Sequence, residues 1–426
     1  MRSARVPRYV AALIATALAT GALCLAPAGV PSAFAAGDAC EPGNPQYTTE
    51  VPPALALLQA QQAWTRGTGA GVLVAVVDSG IDANNVHLKN AVVGGIDLVI
   101  DGEDAQGQSD VEGHGTAIAG EIAAREYAGS GVIGLAPAAD LLSVRVYRGT
   151  DQQSVDAGFG PTTARLAAGI RYAADARAQI INVSMSDVAP SPELEASVQY
   201  AESLGSLVVA SAGNRAADTT DGPRYPAAYA GALAVSATDT RGVVTDDSVH
   251  GEHVEVTAPG SEILTTANKG GDCIFSQEAP KTSFATAYVS GAAALVAAAH
   301  PAESPAQWKY RLMATAVRAD PDSRDDEAGW GIVQPYDAIN LVAGATTRGP
   351  ANPGIDNAGA AIVPPTARVS SNDTESPFDV TKEATMVVGI SALTLLGTIA
   401  VIIVFRQRRR AKASADPDER SGLLGS

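Results

Sequence analysis

The chain has 426 residues, which is enough for one large domain or two smaller ones with a substantial core. Hydrophobic residues make up 46% of the sequence and charged residues only 18%, a balance that excludes a largely disordered chain. The formal net charge of -17 argues against nucleic acid as a partner, because phosphate backbones are bound by clustered Lys and Arg side chains.

Residues 1–35 have the three parts of a secretory signal peptide. Three arginines form a basic start, an apolar alanine-rich run follows, and residues 33–35 provide an A-x-A cleavage site. A retained signal anchor is the alternative, but two prolines after the apolar run favour cleavage. The sequence therefore predicts export, with residues 36–50 left as an N-terminal extension that is too short for a separately folding prodomain.

Residues 51–342 alternate between apolar runs of strand length and helical stretches. The run 72–77 is continuous and rich in β-branched residues, as are strands that are buried on both faces. Similar runs recur at 141–146, 180–183, 207–210 and 233–237. Helical stretches include 54–64, 117–124, 163–178 and 193–204. This alternation predicts a three-layer α/β domain with a mostly parallel central sheet, in which sites form at the carboxyl ends of strands.

Two polar residues follow predicted strands directly. Asp78 comes at the end of the first strand, where an acid is held rigidly and partly buried. The alternative is a turn-forming aspartate before a glycine. Asn214 lies just past the strand 207–210, where a side-chain amide can donate a hydrogen bond to an oxyanion. The alternative is a loop asparagine favoured for its tolerance of the left-handed conformation.

A histidine and a serine stand where two helices of small residues are predicted to begin. His114 has a glycine on each side, which lets other groups approach closely; a helix-capping or surface histidine is the alternative. Ser283 precedes an uncharged Ala-rich run that predicts a helix buried nearly all round. Unpaired N–H groups at such a helix start stabilise negative charge, although serine is also a common N-cap. Each of these residues has an ordinary structural explanation when it is considered alone. Together, however, they supply an acid, a base, a hydrogen-bond donor and a nucleophile, and four unrelated coincidences would be needed to produce that set at Asp78, His114, Asn214 and Ser283.

The C-terminal part of the sequence predicts a membrane anchor. Residues 343–383 are rich in Gly, Pro, Ser and Thr and form a predicted linker. Residues 384–405 contain an uninterrupted apolar run that is long enough to span a bilayer, with a buried core helix as the alternative. The tail 406–426 begins with an arginine cluster, which the positive-inside rule places in the cytoplasm. The sequence thus predicts a single-pass protein of the cell membrane whose N-terminal domain is extracytoplasmic and whose C-terminus is cytoplasmic.

The order Asp, His, Ser and the motifs around these residues resemble the subtilisin-like serine proteases, or subtilases. The matching motifs are VAVVDSGID, GHGT, AGN and TSFA, and the resemblance spans residues 51–342. It implies peptide-bond hydrolysis through an acyl-enzyme, with Ser283 as nucleophile, His114 as general base, Asp78 as its orienting acid and Asn214 as oxyanion donor. It also implies a substrate cleft lined by Ser184, Met185, Ser186, Ser211, Ala212 and Gly213, with Met185 facing the substrate rather than the core.

Within the subtilases the chain resembles the mycosins, which are membrane-anchored proteases of type VII secretion systems. Phe284 follows the serine where most subtilases have Met, and Ala117 follows His-Gly-Thr where many have His. The signal peptide, linker, single C-terminal helix and basic tail also match. The resemblance implies a protein or peptide substrate, a lipid membrane and type VII secretion membrane components as partners. Two alternatives are a mainly structural subunit of the secretion complex and a general cell-surface subtilase.

Three positions depart from the pattern of the family or bear on its disulfides. Lys281 stands where subtilases usually have glycine, and its charge and bulk predict reduced or restricted activity. Cys40 and Cys273 remain after signal cleavage, so one disulfide is predicted, with two unpaired thiols as the alternative. The cysteines that mycosins usually carry near the histidine motif are absent, which leaves this pair as the available bridge. The sequence shows no metal-binding cluster, and no cofactor is predicted.

Overall fold

The computed structural model describes residues 44–215, 220–344 and 347–354, together with Ile403, Val404 and Arg406. The chain divides into two compact units, Met1–Gly359 and Ala360–Ser426. In the second unit the described residues are helical. The predicted signal peptide, most of the linker, and the membrane helix apart from Ile403 and Val404 lie outside the described residues. The boundaries proposed for these segments therefore stay predictions.

The first unit alternates strands and helices along the chain. Its strands are β1 (Leu73–Asp78), β2 (Val92–Asp97), β3 (Asp140–Arg145), β4 (Ile180–Val183), β5 (Leu207–Ser211), β6 (Ala232–Thr238), β7 (Val256–Pro259), β8 (Ile263–Thr266) and β9 (Asp272–Phe275). Its helices are α1 (Ala54–Leu57), α2 (Ala60–Trp64), α3 (His114–Ala123), α4 (Gln152–Asp156), α5 (Thr163–Asp175), α6 (Pro192–Ser203), α7 (Thr282–Ala299), α8 (Pro305–Ala314) and α9 (Pro335–Asn340). All five predicted strands are present.

Seven strands form one parallel sheet in the order β2-β3-β1-β4-β5-β6-β7. β8 and β9 form a separate antiparallel pair. β2 and β3, which follow β1 in the chain, lie on one side of it, and β4 to β7 lie on the other side, so the strand order switches at β1. In open parallel sheets such a switch point opens a crevice at the carboxyl ends of the strands. Asp78 is the last residue of β1 and therefore lies at that crevice.

Alternate residues of each strand pack against different layers of helices. On β1, Val74 and Val76 join the core cluster that contains α3 and α7, whereas Ala75 and Val77 join the cluster that contains α5 and α6. Both faces of the sheet are thus covered, which explains the continuous apolar runs in the sequence. The predicted three-layer α/β architecture with a mostly parallel sheet is confirmed.

Helix α7 runs through the centre of the larger cluster. Its small residues let it be surrounded by β4–β7, α3, α8 and α9, and it is buried from Thr282 to Ala297. Within the described part of the chain, α7 is the helix whose length and composition suffice to cross a bilayer, and it lies in the domain core. The prediction of a helix buried nearly all round is confirmed.

One predicted element is divided in the structure. The stretch 54–64, predicted as a single helix, forms α1 and α2, because Gln59 between them adopts a left-handed conformation with φ 51°. Leu58 is fully buried beside this break, and the Gln59 side chain donates to Gln334 Oε1 at 2.8 Å. The left-handed conformation is unfavourable for a residue with a Cβ. At Gln59 it occurs together with these tertiary contacts, which local sequence does not reveal.

The N-terminal extension is tied to the domain near β9. Asp272 N donates to Gln46 O at 2.7 Å, and Thr48 N donates to Asp272 Oδ2 at 2.8 Å. His87 is buried against the same carboxylate, with 3.3 Å between Nε2 and Oδ1. The described part of the extension, from residue 44 onward, is therefore an integral part of the domain surface.

Candidate active site

Asp78 and His114 meet at the carboxyl end of β1. The fully buried Asp78 accepts a hydrogen bond from His114 Nδ1 at 2.7 Å and another from Ser79 N at 2.8 Å, both on Oδ1. Burial opposes ionisation of Asp78, but the imidazole and these hydrogen bonds hold the pKa of the carboxyl below its ordinary value. Burial likewise opposes the charged imidazole, but the nearby carboxylates, Asp78 above all and then Asp110 and Glu112, together raise the pKa of His114. His114 retains 25% side-chain exposure, so one side of the ring stays open.

The buried carboxylate of Asp110 holds the helix that carries this histidine. Its Oδ1 accepts from Gly113 N at 2.8 Å, and its Oδ2 accepts from the Thr116 backbone and hydroxyl at 2.9 and 2.7 Å. Ser79 Oγ donates to Asp110 at 2.9 Å and accepts from Gly115 N at 3.0 Å. The loop after β1 and the start of α3 are thereby fixed to each other. Sequence analysis missed Asp110, although an acid just before a helix start is a recognised capping signal.

Gly115 is required by the close approach of α3 to the loop after β1. A Cβ at this position would lie 2.1 Å from Gly80 O and 3.1 Å from Asp78 Cβ. Any side chain here would therefore separate the acid from the histidine. This is the physical reason for the second glycine of the GHGT motif.

Ser283 is the second residue of α7 and not its N-cap, because the helix begins at Thr282. Its carbonyl accepts from Ser184 Oγ at 3.0 Å, and the residue is 7% exposed. The neighbouring Phe284 ring lies 5.7 Å from the His114 ring centroid, which brings the start of α7 beside the imidazole. Within the described residues, Ser283 Oγ makes no hydrogen bond to His114 Nε2; such contacts often tighten only when substrate binds.

Asn214 is exposed just past β5 and is oriented by the start of α7. Its Oδ1 accepts from the Thr282 backbone N–H at 2.8 Å and from the Thr282 hydroxyl at 3.1 Å. A backbone N–H can only donate, so the side-chain oxygen must face Thr282 and the amide nitrogen must face away. Asn214 therefore presents an N–H donor toward solvent at this edge of the sheet.

The predicted cleft residues differ in their exposure. Ser186 is exposed, whereas Ser184, Ser211, Ala212 and Gly213 are buried. Met185 is half-buried and packs against the core cluster that contains α5 and α6. Part of the Met185 side chain therefore contacts the core, and the prediction that it faces the substrate stays a prediction. The assignment of these six residues to the cleft stays a prediction.

Lys281 occupies the N-cap position of α7 in an extended conformation. Its backbone N donates to Gly260 O at 2.8 Å, and its exposed side chain makes no capping hydrogen bond. The ammonium is thus open to solvent, which screens its charge.

The cysteine and metal predictions concern residues outside this site. Cys273 is 2% exposed on β9 and is disulfide-bonded, but Cys40 lies outside the described residues, so their pairing stays a prediction. Among the residues that the structure describes, no group of three or more His, Cys, Asp or Glu is arranged to hold a metal ion.

Comparison with known sequences agrees with this geometry. The model of the subtilase family, peptidase S8, matches residues 69–331. Thermitase of Thermoactinomyces vulgaris is 40% identical over 240 residues, which cover 56% of this chain and 80% of thermitase. Subtilisin Savinase of Lederbergia lenta is 37% identical over 268 residues, which cover 63% of this chain and 91% of that protein.

Solved structures add a second set of relatives. MycP1 from Mycobacterium smegmatis superposes with a TM-score of 0.61 at 28% identity, covering 74% of this chain and 92% of that one. The MycP3 protease from the type VII (ESX-3) secretion system superposes with a TM-score of 0.59 at 29% identity, covering 70% of this chain and 89% of that one. The chain therefore belongs to the subtilase family, and it is a serine endopeptidase of the subtilisin type that is similar to the mycosins.

Proposed function

We propose that Asp78, His114 and Ser283 are the catalytic triad of this endopeptidase. The observation that carries the proposal is the 2.7 Å hydrogen bond between His114 Nδ1 and the fully buried Asp78 carboxylate, with the start of α7 beside the ring. This bond fixes the tautomer in which Nδ1 carries the proton and Nε2 is free to act as a base. It also places a negative charge where the imidazolium will form.

The reaction proceeds through an acyl-enzyme. Ser283 Oγ attacks the scissile carbonyl while His114 Nε2 takes its proton, and His114 then gives that proton to the leaving amine. Water, activated by the same imidazole, attacks the acyl-enzyme and releases the second product. Asp78 remains ionised throughout and stabilises the imidazolium at each stage.

The oxyanion is bound at the start of α7. Asn214 Nδ2 and the backbone N–H of Ser283 supply the two donors, and the contact between Asn214 Oδ1 and Thr282 holds the amide in position. Because the donors are fixed before the reaction begins, they stabilise the developing charge without reorganisation.

The cellular setting is proposed from the sequence and from relatives. The signal peptide, the apolar run 384–405 and the basic tail support a single-pass protein of the cell membrane with the peptidase domain outside and the C-terminus in the cytoplasm. MycP1 is described as an essential component of the type VII (ESX-1) secretion system. The likeness to it supports a mycosin role, with protein or peptide substrates and type VII secretion membrane components as partners.

The triad is tested by labelling the purified full-length chain with a serine-reactive fluorophosphonate. Labelling is expected in the wild type and in Ser186→Ala, which removes an exposed serine of the predicted cleft, and is expected to vanish in Ser283→Ala. A folded wild-type chain that does not label would overturn the proposed triad. The alternative of a mainly structural subunit would then explain the protein better.

The topology is tested separately. A fluorescent protein that folds only in the cytoplasm, fused after residue 426, is expected to fluoresce in membranes of the host. Protease added to intact cells is expected to remove the N-terminal domain and to spare that reporter. A fusion that reaches the membrane but does not fluoresce would place the C-terminus outside.

A further inference from the structure

The two oxygens of the Asp78 carboxylate have unequal surroundings. Oδ1 accepts three hydrogen bonds, from His114 Nδ1, from Ser79 N and from Tyr147 Oη, the last at 2.9 Å. Oδ2 is buried and has no hydrogen-bond partner among the described residues. All the stabilisation that donors give this carboxylate is thus concentrated on the atom that faces the histidine.

Tyr147 is placed at Asp78 by the register of the sheet. β1 and β3 pair in parallel with Asp78 opposite Arg145, and Val146 N donates to Asp78 O at 2.8 Å. Tyr147 follows directly, and its 4% exposed side chain packs into the core cluster that contains α5 and α6. The hydroxyl ends 3.4 Å from His114 Nδ1. A buried ring therefore holds this hydroxyl against the pair formed by acid and base.

The hydroxyl can act only as a neutral donor to Asp78. Burial, and then the neighbouring carboxylate, raise the pKa of Tyr147 well above its ordinary value, so the phenol keeps its proton over the whole working range. It differs in this from a cationic donor, which would neutralise the carboxylate. It lowers the proton affinity of Asp78 without adding a charge.

The other groups that face His114 come from two neighbouring elements. Asp110 and Glu112, in the loop before α3, add negative potential at the ring. The Glu112 carboxylate accepts from Thr150 Oγ1 at 2.8 Å, and α7 contributes the uncharged ring of Phe284. Among these groups of the described chain, Tyr147 is thus the one whose neutral hydroxyl donates to Asp78 Oδ1, the same oxygen that accepts from His114 Nδ1.

We infer that Tyr147 is a positioning residue that tunes the basicity of His114 through the Asp78 carboxylate. Its O–H dipole points its positive end toward Oδ1 and draws charge from the atom that stabilises the imidazolium. The imidazolium is therefore less stable, and His114 less basic, than it would be beside Asp78 without this hydroxyl. The effect of Tyr147 on the basicity of His114 does not depend on the proposed triad, whereas the effect on catalysis does.

The test is Tyr147→Phe in the full-length chain, which removes the hydroxyl and keeps the ring. The pH midpoint of fluorophosphonate labelling is expected to rise by about 0.5 to 1 pH unit, because the freed oxygen stabilises the imidazolium more strongly. The control is Tyr172→Phe, which removes a hydroxyl that donates to Gly95 O at 3.2 Å beside the same core cluster. The control is expected to leave the midpoint unchanged, and equal midpoints in all three proteins would overturn the inference.

A second readout does not depend on activity. The chain contains five histidines, so ¹⁵N-histidine labelling followed by NMR titration resolves His114 after comparison with a His114→Asn variant. The ring is expected to titrate at higher pH in Tyr147→Phe than in the wild type, whether or not the chain reacts with fluorophosphonate. A shifted titration in a chain that does not label would support the tuning and refute the proposed triad. An unshifted titration in a chain that labels would do the reverse.

Discussion

Two helices begin at the candidate active site, and their N-termini are satisfied in different ways. The start of α3 is closed from within by Asp110, whose carboxylate binds two backbone N–H groups and the Thr116 hydroxyl. The start of α7 has no acid in its first turn and no side-chain cap, and Lys281 occupies the N-cap position. A carboxylate thus faces the dipole of α3, whereas no acid faces the start of α7, where the Thr282 N–H bonds the uncharged amide oxygen of Asn214.

The difference corresponds to the part that each helix plays in the proposed reaction. α3 must hold His114 at a fixed distance from Asp78, and a closed helix end gives rigidity. α7 must bind a charge that exists only transiently, so its donors have to remain available. The two helix ends show how the same backbone geometry serves as a support in one place and as a binding site in the other.

Among the changes at the two helix starts, loss of the amide donor beside α7 should have the strongest effect on catalysis. Asn214→Ala is expected to slow acylation by about 10²- to 10³-fold, since removal of one oxyanion donor costs about 3–4 kcal/mol of transition-state stabilisation. Because Asn214 is exposed, the free energy of unfolding should change little. Asn214→Asp is the matched variant: it keeps the oxygen that faces Thr282 and lacks the donor, so it should be at least as slow. A fast Asn214→Asp variant would remove Asn214 from the oxyanion site.

Removal of the acid that closes α3 should act mainly on stability. Asp110→Ala leaves two buried N–H groups and two hydroxyls without their acceptor, and is expected to lower the free energy of unfolding by about 2–4 kcal/mol. Chemical denaturation measures this loss. Asp151→Ala is the control, because Asp151 caps the short surface helix α4 from an exposed position and its loss should lower the free energy of unfolding much less. Equal losses in the two variants would show that Asp110 is an ordinary surface cap.

Glu121 is an acid within α3 itself, and unlike Asp110 it has no partner among the described residues. It is 2% exposed, neither oxygen has a hydrogen-bond partner among the described residues, and burial raises its pKa well above the ordinary value. The native state therefore binds a proton that the unfolded chain releases. The free energy of unfolding is therefore highest below the pKa that Glu121 has in the unfolded chain. It falls as the pH rises toward the pKa that Glu121 has in the folded protein, by up to about 1.4 kcal/mol per pH unit.

Glu121→Met, which keeps the volume and removes the acid, should for that reason raise the free energy of unfolding by about 1–3 kcal/mol at pH 8 and by much less at pH 4. Denaturation curves at the two pH values give the comparison. Glu126→Met, at an exposed position shortly after α3, should show no such dependence on pH. A gain for Glu121→Met that is the same at both pH values would mean that packing, and not ionisation, is responsible.

The cation at the start of α7 should have the smallest effect. Lys281→Gly is expected to raise the acylation rate by about two- to tenfold, because the exposed ammonium opposes formation of the imidazolium but is screened by solvent. Lys281→Met keeps the bulk and removes the charge, so it separates the two causes. A gain caused by charge should shrink at 1 M salt, and an unchanged or slower Lys281→Gly enzyme would refute the expectation.

Much of the fold was predictable because it depends on local patterns. Continuous apolar runs identify the buried strands β1, β3, β4, β5 and β6, since a strand covered on both faces has no polar side. β2 was missed because its middle residues are Gly94 and Gly95, which interrupt the apolar signal. β7, β8 and β9 are short, and Thr or Asp residues interrupt their apolar character.

The residues of the candidate site likewise fall into two groups, those that local sequence identifies and those that depend on tertiary contacts. Asp78, His114, Asn214 and Ser283 each lie at the end of a strand or near the start of a helix, so local sequence places them. Tyr147 and Asp110 were missed because their contacts with the pair of acid and base depend on strand register and on the path of a loop. The half-burial of Met185 likewise follows from packing with α5 and α6, which no local pattern encodes.

The attachment of the N-terminal extension to β9 has a consequence for synthesis. Thr48 and Asp272, which bond each other directly, are separated by 224 positions. A ribosome adds residues from the N-terminus at about 5–20 per second, so residues 46–48 wait at least about ten seconds for their partner to be made. The edge of the domain where they lie therefore closes late, and during that interval the buried pair of His87 and Asp272 cannot form. Residues 46–48 are thus made early, but they are among the last to form their native contacts.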